Sequence, residues 1–373
     1  MKIVLTNMAL ICALGESNEK IVANATQNPL KGMVKLTNFA PDKETIFGQV
    51  SSELPQADIR ANALILKALE TLKVPDHPAD RIGVVLGSSN TGIEEAQNNI
   101  NEWLEVGKAP QAFSFDQLKL GTPALFLKNK LGIRGPAFTI STACSSSAKA
   151  FVSARRLIEN DICDCVIVGG VDSKCTFAIN GFEALEALSH TQTNPMSQNR
   201  QGINLGEGVA LFVMEKDKDG IELKGVGETS DAYHLTAPDP SGAGAIEAMT
   251  LALKQAHLTP TDIDYINLHG TGTGHNDAME ATAVWQVFKD APYCSSTKPM
   301  TGHTLGASGA IELALCYLML QNDVIFPHVF DGQKDEALKP IKLALMPEKK
   351  TIKNILSNSF AFGGSNVSVI IGK

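Results

Sequence analysis

Cys144 stands in the run Ser141-Thr142-Ala143-Cys144-Ser145-Ser146-Ser147-Ala148, where small neighbours would let a substrate carbonyl come close to the backbone. Ala137-Phe138-Thr139-Ile140 before it reads as a buried strand, and Ala148 to Ile158 behind it has helical spacing. A thiol at such a strand-to-helix turn meets unpaired backbone N–H groups and the positive end of a helix dipole, which favour the nucleophilic thiolate. The same stretch also suits an inert cysteine in a tight turn, so the rest of the chain has to decide.

Three later constellations carry further chemistry. Asn267-Leu268-His269-Gly270-Thr271-Gly272-Thr273-Gly274 is a strand ending in a histidine and a glycine-threonine loop; without a glycine-lysine-serine/threonine ending it is not a phosphate loop. Ser295 to Ala310 places Lys298 and His303 in a turn before Ala310-Ile311-Glu312-Leu313-Ala314-Leu315-Cys316-Tyr317-Leu318, which is apolar nearly all round. That pattern predicts a buried helix whose only charge is Glu312. A buried carboxylate needs a partner, and Lys298 is the natural one. Phe360-Ala361-Phe362-Gly363-Gly364-Ser365-Asn366 ends an apolar approach in glycines able to aim backbone N–H groups at a ligand.

The elements that must position these residues alternate along the chain. Lys2 to Leu5 opens as a strand, Ala57 to Leu72 reads as a helix stopped by Pro75, and Arg81 to Leu86 reads as a buried strand. Residues 93 to 123 are mixed, with Trp103, Phe113 and Phe115 in a polar setting, and lead through Pro123 to a helical piece at 124–127. Cys165 to Val171 is an uncharged strand of the kind covered on both faces. Gly206 to Lys216 matches Gly363 to Lys373 in layout, Arg81 to Leu86 matches Ile263 to Leu268, and the Cys144 helix matches Gly306 to Leu320. This weak repeat implies two βα-rich halves, 1–216 with Cys144 and 217–373 with His269, Lys298 and His303, divided near Asp217 to Gly220.

Composition sets the outer limits. A chain of 373 residues exceeds one ordinary core, and 44% hydrophobic with 19% charged residues is globular and lightly charged. A net charge of -8 argues against a general nucleic-acid binder. Seven cysteines without C-x-x-C or metal-ligand spacing fit reduced thiols in a cytoplasm, and no metal centre is expected. Thr6 and Asn7 interrupt the first apolar stretch, so it reads as a strand rather than a signal peptide, and no run of about eighteen apolar residues suggests a membrane span.

Taken together, Thr142-Ala143-Cys144-Ser145-Ser146, His269-Gly270-Thr271, Lys298-Pro299, Gly302-His303-Thr304-Leu305-Gly306-Ala307 and Phe362-Gly363-Gly364-Ser365-Asn366 resemble the elongating β-ketoacyl-acyl carrier protein synthases of the thiolase superfamily, and Asp231-Ala232-Tyr233-His234-Leu235-Thr236 adds to the likeness. The resemblance implies an α/β five-layer αβαβα sandwich of two duplicated halves, a dimer of like or related subunits, and a Cys-His-His site without a cofactor. It implies that Cys144 takes an acyl group from a phosphopantetheine thioester in an oxyanion hole of the Cys144 and Phe362 N–H groups. His269 and His303 would then stabilise the enolate left when malonyl carrier loses CO₂, with Lys298, held by Glu312, orienting His303. Thr271, Thr273, Phe362 and Glu312 complete the set expected to contact or support substrate. The partner would be an acyl carrier protein, with Arg200, Lys128, Lys130 and Arg134 as candidate contacts. The extended chain would be fatty acyl, polyene or polyketide.

Two features depart from the family pattern: Ala361 stands where glycine is common, and Gly274 stands where proline is common. A thiolase would carry a second reactive cysteine where Gly302-His303 stands. An initiating synthase would resemble a Cys-His-Asn set, a non-catalytic partner subunit usually lacks the nucleophile, and a cysteine hydrolase has no use for two histidines and a lysine. Residues 93 to 123 match the family poorly, although the resemblance would have them help line the acyl cavity.

Overall fold

The computed structural model describes residues 1–37, 39–40 and 43–373. Ten strands carry the architecture: β1 (Ile3–Ile11), β2 (Ile82–Gly87), β3 (Ala137–Ile140), β4 (Cys165–Asp172), β5 (Gly208–Lys216), β6 (Ile221–Ser230), β7 (Tyr265–Asn267), β8 (Tyr293–Ser295), β9 (Asn354–Phe360) and β10 (Ser365–Gly372). The first five lie in the order β3-β2-β4-β5-β1 and the second five in the order β8-β7-β9-β10-β6. The two orders are the same. So are the directions: β3, β2 and β4 run parallel and β4-β5 and β5-β1 antiparallel, as do β8, β7 and β9, then β9-β10 and β10-β6. The halves join where Val4 pairs with Glu222 and Leu5 with Ile221.

Six helices matter to the site: α1 (Arg60–Leu69), α2 (Thr122–Lys130), α3 (Ser146–Glu159), α4 (Ala243–Ala256), α5 (Gly274–Phe288) and α6 (Ser308–Asn322). Strand side chains alternate between faces, so each sheet feeds two cores. Val166 and Val168 of β4 and Phe212 and Met214 of β5 pack with α3 and α6. Cys165 and Ile167 of β4 and Leu211 and Val213 of β5 pack outward against α1 and α2. Leu356, Phe360 and Ile370 of the second sheet pack outward against α4 and α5. The result is five layers: helices, sheet, the α3–α6 pair, sheet, helices. The middle layer accounts for the all-apolar α6, in which every residue from Ser308 to Leu320 is buried.

The paired segments seen in the sequence hold equivalent places, β2 with β7, β5 with β10, and α3 with α6. One expectation needs correcting. The run 137–140 is not a covered strand: β3 ends its sheet with one edge unpaired within the chain, and Phe138 is 36% exposed. The excursion 93–123 is not among the residues lining the channel described below. It forms a helix, Ile93–Val106, followed by an outer cluster in which Phe113 packs on Trp103 and Phe115, and Trp103 (41%) and Phe115 (70%) face outward. No helix among the described residues is long and apolar enough to cross a membrane, and all seven cysteines are free.

Candidate active site

Cys144 is placed by a bent backbone and a missing side chain. Ala143 takes φ +51°, a left-handed conformation costly for a residue with a Cβ, and turns the chain out of β3 into α3. Gly87, at the end of β2, abuts the first turn of α3; a Cβ there would lie 2.2 Å from the Ser147 nitrogen. The start of α6 also meets the start of α3 closely, because a Cβ on Gly309 would lie 2.8 Å from the Ala148 nitrogen. The Ala310 N–H also donates to Ser147 Oγ at 2.9 Å. These contacts bring a cysteine from the first half to a histidine from the second.

His303 Nε2 lies 3.0 Å from Cys144 Sγ, and its Nδ1 lies 2.8 Å from Ser308 Oγ. Backbone hydrogen bonds from His303 N to Asn204 O (2.7 Å) and from Gly206 N to His303 O (3.1 Å) stitch this turn to the first half. His269 stands beside it, ring centroids 5.5 Å apart and nearly perpendicular. Lys298 Nζ, expected to orient His303, instead donates to His269 Nδ1 at 3.3 Å and is ion-paired with Glu312, while His303 Nδ1 is held by Ser308. Both are buried, as are both histidines.

The electrostatics follow from this burial. His269 and His303 are held well below the ordinary imidazole range, first by desolvation and then by the Lys298 charge, so both are neutral. Burial raises Glu312 to about 7, against the lowering effect of Lys298. Cys144 is pushed up to about 11 by burial, while Lys298 and the N–H groups of Phe362 and Cys144 work the other way. The expected thiolate is thus corrected: desolvation outweighs the helix N-terminus, and the resting group is a thiol hydrogen-bonded to His303. An ammonium can only donate, so His269 Nδ1 accepts from Lys298 and its proton sits on Nε2. The Cys144, His269 and His303 donor atoms lie within 4.8 Å of one another, yet His269 thereby offers an N–H rather than a metal-binding lone pair.

A cavity of about 540 Å³ leads from Cys144, His269 and His303 past Thr271, Thr273 and Phe362 to a rim that includes Arg200 and His234. The hydroxyls of Thr271 and Thr273 lie 3.0 Å apart. Phe362 rests against Phe182, ring centroids 6.0 Å apart. Glu312, grouped on the sequence with residues contacting substrate, does not reach the cavity; like Lys298 it lies behind His269. Arg200 is not a free surface cation, since it pairs with Asp335 at 2.5 Å and donates to Ser197 O. Lys128 donates to Gly135 O, Arg134 lies 3.9 Å from Asp80, and Lys130 is exposed.

Sequence reasoning missed two buried acids. Glu280, on α5, receives the N–H groups of His269 and Gly270 on its two oxygens at 2.7 Å each. Asp172, ending β4, accepts from Ser88 Oγ, the N–H groups of Ser89 and Asn90, and the Ala307 N–H in the turn after His303. The available signal was an acidic residue closing an uninterrupted apolar run, Cys165 to Val171.

The chain matches the family models for the beta-ketoacyl synthase N-terminal domain over residues 13–220 and C-terminal domain over 221–330. It is 32% identical to 3-oxoacyl-[acyl-carrier-protein] synthase 2 of Coxiella burnetii over 81% of this chain and 78% of that protein. It is 29% identical to nodulation protein E of Rhizobium meliloti over 98% of this chain and 97% of that one. Among solved structures it resembles a chain of the ketosynthase (ApeO) in complex with its chain length factor (ApeC) from Xenorhabdus doucetiae, with TM-score 0.94, 40% identity and coverage of 100% and 98%. The ishigamide ketosynthase/chain length factor gives TM-score 0.90 at 25% identity, covering 100% and 99%. With the duplicated five-layer fold and these matches along its length, the chain belongs to the beta-ketoacyl synthase family.

Proposed function

We propose that this chain is a β-ketoacyl-acyl carrier protein synthase, extending an acyl chain by two carbons through Cys144, His269 and His303. The observation that carries the reading is one thiol 3.0 Å from one neutral imidazole and beside a second, at the end of a channel. In the first half-reaction the sulfur attacks the thioester carbonyl of an acyl carrier. The oxyanion is received by the Cys144 and Phe362 N–H groups, a contribution worth roughly a hundredfold or more. The carrier's thiol leaves with the proton given up by Cys144. In the second, a malonyl carrier enters and its C–C bond to the carboxylate breaks, releasing CO₂. The electron pair forms an enolate, whose oxygen is held by the imidazole N–H groups. Neutral rings suit this task because they donate without attracting the malonyl carboxylate, and a dry pocket favours departure of a charged group as neutral CO₂. The enolate carbon attacks the acyl-Cys144 carbonyl, the C–S bond breaks with its electron pair going to sulfur, Cys144 takes up a proton from solvent, and the β-ketoacyl carrier leaves. Lys298, charge-balanced by Glu312, orients His269.

Thr271 and Thr273 supply hydroxyls along the channel for the pantetheine amides, and Phe362 stands between channel and acyl group. Residues 1–216 and 217–373 act as the two halves, each supplying part of the site, in a cytoplasmic enzyme. The relatives solved as ketosynthase with chain length factor support an assembly with an identical or related subunit, and the unpaired edge of β3 is a suitable seam. A panel of acyl carriers followed by intact-mass measurement tests the reading. Acyl adducts on Cys144 that convert to β-ketoacyl carrier when malonyl carrier is added are expected; release of free acid would favour a hydrolase.

A further inference from the structure

His328 belongs to none of the motifs above, yet it joins two walls of the site. It is 2% exposed, and each ring nitrogen has one partner of fixed character. The Ser296 N–H can only donate, so Nδ1 accepts from it at 3.1 Å; the Pro195 carbonyl can only accept, so Nε2 carries the proton and donates at 2.9 Å. The tautomer is thus set by the backbone. Burial holds the ring down at about 4, which keeps it neutral, and Phe330 packs against it with centroids 5.2 Å apart.

Both partners lead to the site by short routes. Ser296 Oγ donates to Gly270 O at 2.6 Å and accepts the Lys298 N–H at 3.3 Å, so Ser296 locks the residue after His269 to the turn carrying Lys298. Pro195 lies in the loop 189–202. That loop holds the floor of the channel through Met196 N to Asp277 Oδ2 (2.8 Å), Gly202 N to Gly272 O (2.9 Å) and Thr193 Oγ1 to Thr271 O (3.3 Å). We propose that His328 is a positioning residue, whose Nδ1 fixes the Lys298–His269 turn through Ser296 and whose Nε2 fixes the substrate channel through Pro195.

The two bonds can be removed one at a time. His328→Asn places an amide oxygen near the Nδ1 position and keeps an acceptor for Ser296. His328→Gln places an amide nitrogen near the Nε2 position and keeps a donor for Pro195. His328→Leu removes both. The readouts, which rest on the condensing reaction proposed above, are kcat and KM for malonyl-carrier decarboxylation. His328→Leu is expected to lower kcat about tenfold and raise KM about fivefold. His328→Asn should recover kcat to within about threefold but not KM, and His328→Gln should recover KM but not kcat. Two amide variants indistinguishable from each other, or neither yielding folded protein, would overturn the proposal, since that is the pattern of a residue that only fills space. Nitrogen-15 NMR of the imidazole separates this from failure of the reaction itself. Nδ1 unprotonated and Nε2 protonated from pH 5 to 9 is expected whatever the substrate, and the opposite tautomer would sink the strut.

Discussion

The loop after β2 and the loop after β7 occupy the same place in the two duplicated sheets, and each is gripped from below by a buried carboxylate. In the first half Asp172 receives Ser88 Oγ and the Ser89 and Asn90 N–H groups. In the second Glu280 receives the His269 and Gly270 N–H groups. Only the second loop bears a reacting side chain. The first half instead places its reacting group on the next element, at the start of α3. The scaffold therefore repeats while the chemistry does not, and Cys144 has no counterpart in function at the start of α6, where Gly309 makes the close approach that joins the halves. Active groups gather at the carboxyl ends of the parallel strands of both sheets, where loops are free to differ.

The sharpest break in the comparison comes from removing one half's contribution. Cys144→Ala should abolish acyl loading, a loss of more than about a thousandfold by intact mass, with the thermal transition unchanged. His303→Ala should lower malonyl decarboxylation about a hundredfold or more while leaving some acyl transfer to Cys144. Unchanged decarboxylation would remove His303 from the enolate's hydrogen bonds.

The two carboxylate grips predict a shared pH dependence. Burial raises Asp172 from 3.8 to about 6 and Glu280 from 4.5 to about 7. The folded chain then binds more protons than the unfolded chain between those values, so stability falls as pH rises from about 4 to about 7, by up to roughly 3 kcal/mol for each group. Urea midpoints measured across that range should flatten below about pH 6 in Asp172→Asn and up to about pH 7 in Glu280→Gln. A slope unchanged in both variants would show that neither carboxyl titrates there.

Smaller effects sharpen the seam. Gly309→Ala inserts a methyl 2.8 Å from the Ala148 backbone and should cost about 1–3 kcal/mol, by overpacking, with condensation falling more than acyl loading. Equal losses in both half-reactions would mean that the seam does not set the Cys144–His303 distance. Smallest of all, Arg134→Glu should raise KM for an acidic carrier a few-fold and weaken its salt dependence, because exposed charges act mainly on encounter. Binding that ignores the reversal would leave this patch as ordinary surface.

Much of this was legible in the sequence where chemistry is local. Cys144, His269, Lys298 and His303 each stand in a run whose small or glycine neighbours reveal a turn, and the all-apolar α6 announced a helix buried on every side. What stayed hidden depends on partners far along the chain. Asp172 and Glu280 look like ordinary acidic residues until backbone N–H groups 80 or so positions away, or on the preceding loop, are seen to converge on them. His328 sits between Phe326-Pro327 and Val329-Phe330, with nothing to mark its two partners. The protonation state of Cys144 could not be read either, because a helix N-terminus shows in the sequence but the degree of desolvation does not. The exposed edge of β3 escaped for a related reason: an apolar run tells that a strand is to be covered, not by which chain.

The central claim is that a carbanion made beside His269 and His303 is captured by the acyl group on Cys144 without leaving the cavity. A single-turnover experiment tests it directly: acyl-loaded enzyme is mixed with one equivalent of malonyl carrier, and protein and carrier masses are followed together. Loss of the Cys144 adduct one-for-one with gain of β-ketoacyl carrier is the expected result. An adduct that persists while acetyl carrier accumulates, or that maps to Cys163 or Cys316, would contradict it.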